Sequence, residues 1–132
     1  MTPSVLIIDD DPDIRHNLAA YLEDEGMTVA AVDSYEAAAA LLDEGRVYDI
    51  CIMDARLPGL QGEAAIPLLK SRRPKLVFLL HTGTTEYRLP PELRTLGMRE
   101  DDVFIKPIGD MAWIADAIRN LITDSRTVKD GC

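Results

Sequence analysis

The sequence predicts an α/β domain built on an open, parallel sheet with helices on both faces. Three observations carry that expectation. Short apolar runs alternate with amphipathic segments five times along the chain. The connections between them are short, which favours right-handed crossovers between parallel strands. The runs are also nearly free of polar residues, as in Leu76-Val-Phe-Leu-Leu80, so the strands are buried on both faces.

Ser4-Val-Leu-Ile-Ile8 is the first strand, closed by Asp9, Asp10 and Asp11. Asp11 is placed to cap the next helix, with Pro12 at its first position, where a missing N–H costs nothing. Ile14, Leu18, Tyr21 and Leu22 recur at helical spacing, and Gly26 ends the helix. Met27 to Val32 is the second strand. Ser34 caps an alanine-rich helix whose Leu41 and Leu42 face the sheet, with Gly45 past its end. Asp49 to Met53 is the third strand. The third helix is expected over Gln61 to Ser71, kinked or starting late because Pro67 removes a backbone donor from its interior. Leu76 to Leu80 is the fourth strand. The segment from His81 to Asp102 is the least regular, with a helical turn only over Glu92 to Leu96, after Pro90-Pro91 and before Gly97. Val103-Phe104-Ile105 is the fifth strand. The last helix is expected over Asp110 to Ile122, and residues 123–132 as a polar tail, so that the domain occupies residues 1–122.

A chain of 132 residues is long enough for one domain with a real core. Its formal charge of −9 argues against a nucleic-acid or anionic membrane surface. No apolar run approaches the ~20 residues of a membrane span, and Met1-Thr-Pro-Ser leads into the first strand without a signal-peptide pattern. Cys51 within a core strand and Cys132 at the last position make no disulfide framework, so a reducing cytoplasm is the expected compartment.

In a parallel sheet every carboxyl strand end lies on one edge, where open α/β folds bind their ligands. Those ends read Asp9-Asp10-Asp11, then Asp54, then Thr82-Gly83, then Lys106-Pro107. Asp54 alone is explained equally well as a turn residue that ends its strand. As a group, carboxylates meeting at one edge need a cation or protons. Their hard oxygens suit Mg²⁺, whereas His16 and His81 have no partner at zinc-ligand spacing. Lys106 adds a positive charge, Thr82 a hydroxyl, and Gly83 room for approach. A carboxylate nucleophile, a divalent metal, a lysine and a hydroxyl are together the parts for phosphoryl transfer to an aspartate. His81 itself reads as a strand-end residue rather than a ligand.

The motifs Ile8-Asp9-Asp10-Asp11-Pro12, Met53-Asp54-Ala-Arg-Leu-Pro-Gly-Leu-Gln-Gly62, Thr82-Gly83 and Lys106-Pro107, in that order, resemble the receiver domain of two-component response regulators over about residues 4 to 122. The resemblance implies a flavodoxin-like (βα)5 fold with strand order 2-1-3-4-5. It makes Asp54 the phosphoacceptor, served by a sensor histidine kinase, a phosphotransfer protein or a small acyl phosphate. Asp10, Asp54 and the backbone carbonyl of Arg56 would hold Mg²⁺, Asp9 would act mainly through water, and Thr82 and Lys106 would contact the phosphoryl oxygens. A stand-alone signalling domain is expected, rather than an enzyme, acting through protein contacts on a downstream target and not on nucleic acid. Two alternatives were weighed. An aspartyl-phosphate phosphatase needs a second Asp two residues after the nucleophile, where this chain has Arg56. A phosphorylation-independent scaffold usually lacks one of the acidic, Thr or Lys positions, and all are present here.

Two features depart from the family pattern: the residue at the aromatic-switch position, and an interval from Thr82 to Lys106 slightly longer than usual, with Pro90-Pro91 where the fourth helix normally starts. Receivers usually carry a Tyr or Phe switch three residues before the lysine; here it is Val103, with Phe104 on the opposite face by strand alternation. In the last helix, Met111, Ile114, Ala115, Ile118, Leu121 and Ile122 form the core stripe, and Trp113 falls on the polar side with Asp116 and Asn120. Trp113 is therefore expected to be exposed, near the fourth- and fifth-helix faces through which receivers commonly contact partners or a second copy.

Overall fold

The computed structural model describes residues 2–54, 62–82, 88–99, 102–105 and 112–130. Three almost wholly apolar strands, β1 (Ser4–Ile8), β3 (Ile50–Asp54) and β4 (Val77–Thr82), form the middle of one parallel sheet. Strands β2 (Thr28–Val32) and β5 (Val103–Ile105) flank them, in the order β2-β1-β3-β4-β5. Only a strand covered on both faces can be apolar at every position. Accordingly β3 is buried throughout, while edge strand β2 leaves Thr28 and Ala31 exposed.

Strand alternation divides the core into two layers. Leu6, Ile8, Cys51, Met53, Phe78 and Leu80 point to one face. There they meet helices α2 (Tyr35–Asp43), α3 (Gly62–Arg72) and α4 (Pro91–Thr95) through Leu42, Ile66, Leu69 and Leu93. Val5, Ile7, Ile50, Ile52 and Leu79 point to the other face. They pack on α1 (Pro12–Asp24) and α5 (Ala112–Asp130) through Leu18, Leu22, Ile114, Ala115 and Ile118. Each layer buries its apolar stripe only because the sheet lies between them.

Helix starts follow local chemistry. The Asp11 carboxylate accepts from the amides of Asp13 and Ile14 at 2.9 and 3.3 Å, and Pro12 opens α1. The Ser34 hydroxyl accepts from the Ala37 amide at 3.2 Å and caps α2. Gly97 follows α4 at φ +98°, a left-handed geometry that a Cβ would strain.

Four boundaries differ from expectation, each for a physical reason. Strand β4 does not stop at Leu80 but includes His81 and Thr82, because β3 and β5 offer ladder partners on both sides as far as Asp54 and Ile105. Asp54 likewise belongs to β3 itself. Pro67 lies inside α3, which starts at Gly62 and not late; the proline is exposed, while Ala65, Ile66 and Leu69 around it are buried and keep the segment helical against the sheet. Helix α5 continues to Asp130 where a tail was expected after Ile122. Polarity alone does not stop a helix, and the next breaker in the chain is Gly131.

Candidate functional site

The site grows from the carboxyl ends of β1 and β3. Beyond β1 the Asp9 amide still donates to the Val32 carbonyl at 3.1 Å, so the ladder with β2 carries Asp9 into the interior. Its Oδ1 accepts from the Asp11 amide at 2.9 Å, and its carbonyl accepts from Arg15 Nη1 at 2.8 Å. Asp9 is only 1% exposed and Asp54, the last residue of β3, only 8%, while Asp10 lies on the surface. One carboxylate oxygen from each of Asp9, Asp10 and Asp54 lies within 4.8 Å of the others. Like charges that close, two of them out of water, favour a bound cation. The donor set is all oxygen, which suits Mg²⁺ and not a metal that prefers sulfur or imidazole.

Register builds a row across the sheet. β1 and β3 pair Ile8 with Met53, which sets Asp9 beside Asp54; β3 and β4 pair Asp54 with His81; β4 and β5 pair His81 with Phe104. By alternation Asp9, Asp54 and His81 share the face covered by α1 and α5. His81 Nδ1 lies 3.8 Å from Asp9 Oδ2, with both side chains buried. Thr82 is buried and pairs with Ile105, the residue before Lys106. Arg56 and Lys106 lie outside the described residues, as do Gly83, Pro107 and Met111.

Cys51 sits three residues before Asp54, but burial pushes its thiol far up, so it is an inert core residue and not a second nucleophile. Val103 packs with the α3–α4 layer and Phe104 with the α1–α5 layer, as alternation requires. His81 is the site neighbour that its position in the sequence undersold. The available signal was a lone imidazole at the end of an otherwise apolar strand, directly before Thr82.

Residues 5–119 match the family model of the response regulator receiver domain. The chain belongs to that family. This receiver is 36% identical over 129 residues to the transcriptional regulatory protein AruR of Pseudomonas aeruginosa, which covers 92% of this chain and 50% of AruR. It is 37% identical over 113 residues to the transcriptional regulatory protein FixJ of Azorhizobium caulinodans, which covers 84% of this chain and 51% of FixJ. The chain thus spans about half the length of these two relatives. Its backbone superposes on the receiver domain of the Francisella response regulator 1452 with a TM-score of 0.79. That match covers 94% of this chain and 99% of the other at 20% identity, a likeness of fold alone. Receiver domains are signalling domains of two-component systems; they are phosphorylated by sensor histidine kinases and bind Mg²⁺ at an acidic pocket. Among the described residues no helix of this receiver is long and apolar enough to cross a membrane.

Proposed function

We propose that this receiver is a Mg²⁺-dependent phosphoacceptor in which Asp54 takes a phosphoryl group from a histidine kinase or phosphotransfer partner. The observation that carries it is the convergence of the Asp9, Asp10 and Asp54 oxygens within 4.8 Å at the carboxyl ends of β1 and β3. Between those two strands the sheet reverses its order of growth, the place where doubly wound folds open a crevice.

Asp10, Asp54 and the Arg56 carbonyl would hold the metal directly, and Asp9 would act through water. Mg²⁺ bound there offsets the charge of the carboxylates and of the incoming phosphoryl oxygens. An Asp54 carboxylate oxygen attacks phosphorus in line, the P–O or P–N bond to the donor breaks, and the donor leaves with its electron pair. The Thr82 hydroxyl and the Lys106 ammonium take the phosphoryl oxygens. The receiver unit takes in residues 1–122, and α5 runs on unbroken from it to Asp130. The signal passes by protein contact, cytoplasmically, to a downstream target or to a second copy through the face of α4 and α5, and not to nucleic acid.

Incubation with acetyl phosphate, followed by intact mass, tests this. A single phosphate adduct is expected that is lost in Asp54→Asn and in excess chelator. An adduct that persists in either condition overturns the assignment.

A further inference from the structure

We propose that His81 is a positioning residue: its imidazole holds the Asp9 carboxylate in the orientation that completes the acidic site, and so raises the affinity of the site for a divalent cation. This rests on the Mg²⁺ site proposed above.

The placement is specific. Val77, Phe78, Leu79 and Leu80 make β4 apolar up to His81, and Leu79, two residues earlier on the same face, is core. An aliphatic residue at 81 would simply extend that layer. Instead an imidazole is only 3% exposed there, and burying such a polar group is costly without a polar counterpart, on the order of 1–3 kcal/mol. The counterpart is supplied by register. His81 is the cross-strand neighbour of Asp54, and its Nδ1 faces Asp9 Oδ2 at 3.8 Å. That separation is longer than a direct hydrogen bond. With both groups out of water, however, the attraction between an N–H and a carboxylate is little screened.

Asp9 is gripped from the other side as well. Its Oδ1 is bound by the Asp11 amide and its carbonyl by Arg15. The Asp11 amide fixes one carboxylate oxygen, and His81 faces the other at 3.8 Å with both side chains buried. Groups that hydrogen-bond a metal's ligands tune its affinity by about 10–100-fold without touching the ion; His81 acts one step further out, on a carboxylate that would reach the metal through water, so the lower end of that range is the effect expected of it.

Calorimetric titration of the full chain with MgCl2 tests the role without reference to phosphorylation. His81→Leu keeps the bulk and removes the N–H; its Mg²⁺ Kd is expected to rise about tenfold, with an undiminished melting temperature. His81→Asn, whose amide nitrogen reaches the place of Nδ1, is expected to keep most of the wild-type affinity. His81→Gln, whose nitrogen reaches the place of Nε2, is expected to behave like the leucine variant. Wild-type affinity in His81→Leu overturns the role and leaves His81 as core filling. If the leucine variant does not fold, equal affinities in the Asn and Gln variants overturn it. Failure of all three to fold does the same, since His81 is then a packing requirement. Absence of Mg²⁺ binding by the wild-type chain overturns the metal site itself, a result distinct from a lost His81 effect.

Discussion

Asp9 and Asp54 hold carboxylates away from bulk water, and Asp10 adds a third at the rim. Without a cation their mutual repulsion opposes folding. Asp10→Asn removes one charge at an exposed position where the amide fits, so in chelator the variant is expected to be more stable than wild type by roughly 1 kcal/mol. Chemical denaturation with and without Mg²⁺ checks this, and the gain should shrink or reverse once metal is present. Trp113 makes the opposite case. It is 73% exposed although it is the largest side chain of α5, because its neighbours Ile114 and Ala115 already occupy the face against the sheet. Trp113→Ala is therefore expected to change the stability of the monomer by no more than about 0.5 kcal/mol and to leave Asp54 phosphorylation intact. A larger loss in thermal melts would show that the ring packs on the fold.

At the scale of elements, α3 carries a local rule that the fold overrides. Pro67 lacks the amide that would bond one turn back, yet Ala65, Ile66 and Leu69 around it are buried and keep the helix on the sheet. Pro67→Ala should restore that bond and stabilise the protein by ~1 kcal/mol or more; an unchanged unfolding midpoint would mean that the helix is already relaxed around the ring. The segment of residues 88–99 behaves similarly. Its prolines limit α4 to little more than one turn, but Leu89, Leu93 and Met98 anchor it in the layer against which Val103 packs. With Val103 where receivers usually place an aromatic switch, a change at Thr82 is expected to pass to that shared layer rather than through a swinging ring. Hydrogen exchange with a beryllofluoride mimic is expected to alter protection in residues 88–99 and to spare α5. Change confined to α5 would identify the other element as the carrier.

Across the whole molecule, a cation that binds only the folded chain adds RT ln(1 + [L]/Kd) to stability, about 2.7 kcal/mol at a hundredfold excess over Kd. Thermal melts should rise with Mg²⁺ and lose the rise in Asp54→Asn. The alternation of strands and helices, the two core layers, the caps at Asp11 and Ser34, and the meeting of Asp9, Asp10 and Asp54 at one edge were legible in the chain, and the strand order followed from the resemblance its motifs carry. Periodicity, turn chemistry and motif order are properties of short stretches, and those stretches behave locally as their residues dictate. Tertiary structure decided the rest. Whether β4 ended at Leu80 or Thr82 depended on the ladders offered by β3 and β5, and no property of His81 announces Asp9 as a neighbour, two strands across the sheet and far back in the chain. The fate of Pro67 depended on the core beneath α3. The contact between His81 and Asp9 exists only because parallel register sets three strand ends in one row, where pairing between distant segments, rather than the preference of either residue, fixes what each side chain meets.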